Sequence, residues 1–183
     1  MRVITGSARG RKLKTLAGDE IVRPTAERVK EALFSIVQFE LEGAAVLDAF
    51  AGSGQLGIEA LSRGAARAVF TDENRQAVDT VRANLQHTRL ADRAVVLQTD
   101  AFSYLRSARE TFDVLFFDPP YRKGTVEKIL PLAERCCNPG AIIVCETEVE
   151  VTLPESVGAL TRLREYKYSK TKLTTYRMQE DAE

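Results

Sequence analysis

The chain has 183 residues, of which 44% are hydrophobic and 28% charged, with 26 Lys/Arg balanced by 26 Asp/Glu. That length suits one domain with a substantial core, and the composition is that of an ordinary soluble globular protein rather than a disordered or fibrous one. No apolar run approaches the ~20 residues of a membrane span, the start "MRVITGSARGRK" lacks the apolar centre of a signal peptide, and the three cysteines show no CxxC spacing, so the expectation is a cytoplasmic protein with buried thiols and neither zinc nor disulfides.

The first segment, "RVITGSARGRKLKTL", places Gly6 and Gly10 between short strand-like pieces and reads as a basic β-hairpin. We take residues 1–22 as this extension of a single domain spanning 1–183. Residues 1–30 carry eight Lys/Arg against Asp19, Glu20 and Glu27. "RPTAERVKEALFSIV" then reads as a helix, with Pro24 in its first turn, Thr25 as the candidate cap and Val29, Leu33, Phe34 and Val37 on its apolar face.

From residue 44 to 148 short apolar runs alternate with helical patterns. "AAVLDAF" (44–50), "ARAVFTD" (66–72), "RAVVLQTD" (93–100), "FDVLFFD" (112–118) and "AIIVCETE" (141–148) are rich in Val, Ile, Leu and Phe, as strands covered on both faces should be. The gaps are long enough for crossover helices. One of them, "NRQAVDTVRANLQ", opens at the capping residue Asn74. After residue 150, "LTRLREYKYSKTKLTTYRM" reads as two strands joined around Ser169–Lys172. The pattern predicts an α/β fold: a mostly parallel, seven-stranded, Rossmann-like sheet with helices on both faces, closed by an antiparallel C-terminal strand.

Four of the parallel strands finish in an aspartate: Asp48, Asp72, Asp100 and Asp118. In an open α/β sheet a ligand lies outside the carboxyl ends of the strands, so the four gather on one rim. Any one of them could simply cap a helix. The turn "DAFAGSGQLG" has the Gly52-x-Gly54-x-x-Gly57 spacing of a dinucleotide site. Asp48 ahead of the glycines suits instead the ammonium group of S-adenosylmethionine, with Asp72 at the ribose hydroxyls, and Asp100 and the Ala101 N–H at adenine. Asp72 by itself fits NAD equally well.

"FFDPPYRKG" is harder to explain by packing. Pro119 and Pro120 remove two backbone donors and stiffen the turn. The Asp118 carboxylate and the Pro119 carbonyl are then displayed to accept the two N–H groups of an exocyclic amine on a nucleobase, and Tyr121 to stack on its ring. Once alkylated, that amine is strongly acidic, so Asp118 acts as positioner and electrostatic stabiliser rather than as a strong base.

"RGRKL", "RPTAERVKEALF", "LDAFAGSGQLGIEALSRGA" and "FFDPPY", in that order, resemble the RsmD family of bacterial ribosomal RNA methyltransferases, from about Arg2 to Arg177. The resemblance implies a class I fold, S-adenosyl-L-methionine as cofactor, and methylation of guanine N2 in 16S ribosomal RNA or a small-subunit assembly intermediate. It implies a cofactor loop of Asp48, Gly52 and Gly54, with Asp72, Asp100 and Ala101 around the nucleoside, and a catalytic motif of Asp118, Pro119, Pro120 and Tyr121. Arg9, Arg11, Lys12 and Lys14 would grip RNA, and Arg23, Thr25 and Arg28 would lie beside the pocket and guide RNA or cover the cofactor. Gln55 and Ser35 stand where a small residue and an asparagine are expected.

Residues 160–177 add six basic residues against Glu165, so both ends are basic around an acidic middle, which suits a polyanionic partner. Tyr166, Tyr168 and Tyr176 alternate there with Lys and Arg, fitting either RNA contact or hairpin packing. His87 reads as a surface residue, and Phe116 and Phe117 as core. The competing functions are adenine-N6 methylation of DNA or RNA, an NAD-dependent oxidoreductase, and a non-catalytic RNA-binding module. No separate target-recognition domain is visible for the first, and the other two leave DPPY unused. A monomer is compatible with one small domain.

Overall fold

The computed structural model describes residues 1–16, 24–120 and 124–180. Arg23 and Tyr121 lie outside the described residues, and of Thr25 only the backbone placement is described. In chain order the elements are α1 (Pro24–Ile36), β1 (Ala45–Asp48), α2 (Gln55–Ser62), β2 (Arg67–Asp72), α3 (Arg75–Thr88), β3 (Ala94–Gln98), α4 (Ala101–Ser107), β4 (Phe112–Phe117), α5 (Thr125–Ala133), β5 (Cys137–Glu148), β6 (Ser156–Val157), β7 (Leu160–Tyr168) and β8 (Thr171–Met178). The helix read from "RPTAERVKEALF" begins at Pro24 rather than after Thr25. A proline at the first helical position gives up an N–H that would have had no partner there, so Thr25 sits within the first turn instead of capping it.

The strands form one sheet in the order β3-β2-β1-β4-β5-β8-β7-β6. β1 to β5 are parallel, whereas β8 pairs antiparallel with both β5 and β7. Among the described residues this makes eight strands rather than the seven expected, because β6 is only two residues long and too short to show an alternation in sequence. Helices α1, α2 and α3 cover one face, where Val29, Phe34, Ile58, Leu61 and Leu85 pack on Val46, Phe70, Val114 and Phe116. On the other face α4 and α5 bring Leu105, Ile129 and Leu130 onto Leu47, Leu115, Phe117 and Ile143. Phe116 and Phe117 are both fully buried and point to opposite faces, as a period of two requires.

After β3 the chain crosses to the far side of β1 to lay down β4. The sheet therefore reverses its order between β1 and β4, where Asp48 and Asp118 emerge. A crevice at that reversal is where such sheets bind ligands. Gly57 lets α2 come close to the sheet: a Cβ on it would stand 2.3 Å from Cε1 of Phe70.

The N-terminal arm turns back on itself through one antiparallel bridge, Arg2 with Lys12, and through the Val3, Gly10 and Leu13 amide bonds. A buried ionic cluster docks it. Glu59 on α2, fully buried, accepts the Ile4 and Thr5 amides at 2.8 and 2.9 Å. It also pairs with Lys30 at 3.2 Å and Arg63 at 2.9 Å. Burial pulls the Lys30 ammonium below the usual lysine range, against the opposing pull of Glu59. Asn84 on α3 makes a second tie: it bonds the Lys14 amide and carbonyl and also the Ser53 carbonyl of the glycine loop.

Removing one member of a buried ion pair strands the others in low dielectric. Glu59→Ala is therefore expected to lower the unfolding free energy by about 3–5 kcal/mol, measured by urea denaturation. The neutral pair Lys30→Met/Glu59→Gln should recover part of that loss.

Candidate active site

The carboxyl ends of β1 to β4 meet around a cavity of about 730 Å³. All four aspartates line it, together with Gly52 and Ala101, as do Pro119 and Pro120. Gly54, the third member of the expected cofactor loop, has φ 81° and supplies the turn into α2 without lining the cavity. Phe50, Phe102 and Asn74 also line it.

Three of the four carboxylates also hold the backbone around them. Asp48, 1% exposed, accepts the Gly57 amide at 2.9 Å and so closes the first turn of α2 onto the end of β1. Asp72 accepts the Gly52 amide at 2.9 Å with one oxygen and the Asn74 amide at 2.8 Å with the other. Asp100 caps α4 through the Ser103 amide at 2.9 Å. Hydrogen bonding from Ser103 holds its pKa below the usual carboxylate range. Capping and lining are thus not alternatives here, since each carboxylate oxygen has lone pairs left for a ligand.

Asp118 differs, in that no described residue donates a hydrogen bond to it. Burial, and then the negative charges of Glu146 and Asp48, push its carboxyl well above the usual range. Asp48 is pushed up to about 7, first by burial and also by Asp72, against the stabilising Gly57 amide. A site that raises the cost of its own negative charge is suited to partners carrying N–H donors or positive charge.

A second cavity of about 450 Å³ opens between α1 and the β7–β8 turn, lined by Ala26, Val29, Lys30, Leu33, Ser169 and Thr171 among others. The two cavities share one wall: Gln55, Leu56, Asp118 and Glu146. Gln55 carries a buried Oε1 with no hydrogen-bond partner among the described residues. Sequence reasoning passed over this second cavity, with Lys30 and Glu146, and marked Gln55 only as a departure from the expected small residue. Glu146 was within reach of the rule that found the aspartates, since "AIIVCETE" also ends in carboxylates. The second cavity itself has no local signal, because α1, β5 and the β7–β8 turn are far apart in the chain.

Of the residues expected at RNA, Arg9, Lys12, Lys14 and Arg28 are exposed. Arg11 is half-buried and bonds the His87 carbonyl at the end of α3, so it fastens the arm to the body. His87 itself is exposed. Tyr176 is fully buried, its hydroxyl donating to the Pro154 carbonyl. Tyr166 and Tyr168 pack partly against the core on the α1 side, with the Arg164 guanidinium 5.8 Å from the Tyr166 ring. Ser35 is exposed and bonds the Glu31 carbonyl one turn back. All three cysteines are buried, and burial pushes the Cys137 thiol up to about 12.

The family model described as "Conserved hypothetical protein 95" matches residues 1–177. Over 182 residues the chain is 42% identical to a candidate rRNA methyltransferase, YlbH, of Bacillus subtilis (strain 168), covering 97% of this chain and 98% of that one. It is 39% identical over 156 residues to "Ribosomal RNA small subunit methyltransferase D" of Escherichia coli (strain K12), covering 84% and 78%. Among solved structures it superposes on a candidate methyltransferase of Escherichia coli, yhhF, with a TM-score of 0.85, 35% identity and 99% of each chain covered.

The raised pKa of Asp48 has a consequence for stability. A carboxyl that titrates higher folded than unfolded stabilises the fold fully at low pH, and that contribution is lost as pH rises through its folded value. The unfolding free energy of Asp48→Asn relative to wild type is thus expected to grow between pH 5 and pH 8, by up to about 3 kcal/mol. Urea titrations at the two pH values measure it; a pH-independent difference would show that Asp48 is ionised throughout.

Proposed function

Starting from the family described as conserved hypothetical protein 95, to which the chain belongs, we propose that it is an S-adenosyl-L-methionine-dependent methyltransferase acting on the N2 amine of a guanine in 16S ribosomal RNA. The observation that carries the reading is the shared wall: Asp118 stands between a large cavity lined by the glycine loop and strand-end aspartates and a second cavity bounded by α1 and the β7–β8 turn. Two ligands can therefore meet across one carboxylate.

The larger cavity suits S-adenosylmethionine by the chemistry of its walls. Asp72 and Asp100 offer acceptors to ribose hydroxyls and an adenine amine. Asp48 offers negative charge to an ammonium group, and Phe50 and Phe102 offer apolar surface. When bound, the cofactor supplies an electrophilic methyl group. The protein's part is to orient the nucleophile. Asp118 and the Pro119 carbonyl accept the two N–H groups of the target amine and direct its lone pair, as alignment of a near-attack geometry requires. Burial of Asp118 makes its charge more effective toward the positive charge that develops on the nitrogen. The proton then leaves a strongly acidic alkylated amine, to Asp118 or to water. A base reaches this pocket only when swung out of its helix, and Tyr121 is assigned to stack upon it.

RNA is the expected partner, as 16S ribosomal RNA or a small-subunit particle. The exposed cations Arg9, Lys12 and Lys14 on the arm, with Arg164, Lys167 and Lys170 on the C-terminal hairpin, supply the positive surface.

Purified protein incubated with methyl-labelled cofactor and 16S RNA or small-subunit particles should place label in N2-methylguanine after nucleoside digestion. Label in N6-methyladenine would overturn the guanine assignment. Asp118→Ala should lower transfer by at least about 100-fold, with cofactor affinity changed less than threefold by calorimetry. Replacing Arg9, Lys12 and Lys14 together by Ala should weaken RNA binding and reduce the slope of log K against log salt, by roughly 0.7–0.9 for each phosphate that is no longer neutralised; an unchanged slope would take the arm out of the interface.

A further inference from the structure

β4 and β5 run parallel, with Phe116 opposite Val144 and Phe117 opposite Cys145. One step further along that register, Asp118 comes opposite Glu146, on strands ~4.8 Å apart. Val114 and Phe116 on β4, and Ile142 and Val144 on β5, all point into the core on the α1 side. Alternation carries Asp118 and Glu146 onto the same face, and both line the cavity under α1 as well as the larger one. Gln55, on the same wall, adds a buried carbonyl oxygen with no partner among the described residues. The wall between the cavities is therefore rich in acceptors, two of them carboxylates side by side.

Holding a single amine requires only Asp118 and Pro119. A second carboxylate beside Asp118 makes the charge there more costly, and Glu146 does contribute to raising the Asp118 pKa. That arrangement is favoured by a ligand that brings N–H donors on two adjacent ring positions. Guanine does so: its N1–H lies next to the N2 amine. Adenine does not, because beside its N6 amine the N1 position carries a lone pair, which faces a carboxylate unfavourably.

We propose that Glu146 is the specificity-determining residue for the target base, accepting the guanine N1–H while Asp118 and the Pro119 carbonyl hold the N2 amine. The inference rests on the guanine-N2 reading above and adds to it the group that separates guanine from other amino-purines. Sites built to receive a substrate hydrogen bond reject analogues lacking it far more strongly than apolar pockets discriminate by size.

The test uses 2,6-diaminopurine, which keeps the 2-amine but has a lone pair at N1. The methylated nucleotide is first mapped with the wild-type protein. 16S RNA is then ligated from synthetic segments carrying guanine or 2,6-diaminopurine at that position, and kcat/KM is measured for both. Wild type should prefer guanine by at least about 100-fold. Glu146→Gln, whose amide can turn to donate, should lose guanine activity and narrow that preference at least tenfold, with cofactor affinity and thermal midpoint near wild type. Glu146→Asp, which keeps the charge, should slow the reaction but retain the preference. Equal use of both bases by wild type, or a preference unchanged in Glu146→Gln, overturns the assignment. Should Glu146→Gln fail to fold, wild type and Glu146→Asp still decide, and loss of preference in Glu146→Asp counts against the proposal. Absence of N2-methylguanine with wild type and guanine RNA would instead defeat the underlying function, so the two failures are distinct.

Discussion

The hydrogen bond from the Gly57 amide to the buried Asp48 carboxylate is the constraint on which the site depends. It ties the end of the central strand to the first turn of α2, and residues 49–54 between the two elements have to fold into a loop whose amides and carbonyls are held from neighbouring elements. The Ala51 amide goes to the Thr71 carbonyl, the Gly52 amide to Asp72, and the Ser53 carbonyl to Asn84. Asn84 in turn binds the arm at Lys14. The loop that faces the larger cavity and the basic arm thus share one side chain, and a displacement of either is felt at the other.

A row of carboxylates at the reversal of the sheet is expensive in stability. Asp48, Asp118 and Glu146 stand on one face of β1, β4 and β5, where burial and neighbouring negative charge oppose the ionisation of Asp48 and Asp118. A core optimised for folding alone would place apolar groups there. The same unfavourable potential becomes useful once a ligand brings positive charge or N–H donors into the crevice, because it is already oriented and needs no reorganisation. The ionic cluster of Lys30, Glu59 and Arg63 has the opposite character. It is satisfied internally and serves to hold α1, α2 and the arm together, and its Lys30 forms one side of the smaller cavity.

Much of this was legible in the chain. The parallel strands appear as apolar runs because β1, β2, β4 and β5 are covered on both faces, whereas β3, equally apolar in sequence, is the sheet edge and leaves Val95 51% exposed. Asn74 caps α3 through its own side chain, as its position before an amphipathic stretch implies. The strand-end aspartates do converge on one cavity, since every parallel strand of a singly directed sheet ends on the same rim. Other features were hidden for physical reasons. A two-residue edge strand has no periodicity to detect. Arg11 looked like one more surface cation, yet it bonds a carbonyl seventy-six residues away. Lys30 lay in a basic stretch but is buried, because its counter-ion comes from a different helix.

By itself the sequence determined the order of strands and helices, the aspartate at each strand end, the glycine turn and the DPPY motif, all of which are local or periodic properties. Strand order in the sheet, the reversal between β1 and β4, and the placing of Asp118 and Glu146 on one cavity wall were decided only by tertiary structure. They depend on which strands become neighbours and in what register, and that is set by packing of both sheet faces at once. The second cavity is the clearest case: its walls come from α1, α2, β5 and the β7–β8 turn, and no stretch of the chain carries a trace of it until the sheet brings them together.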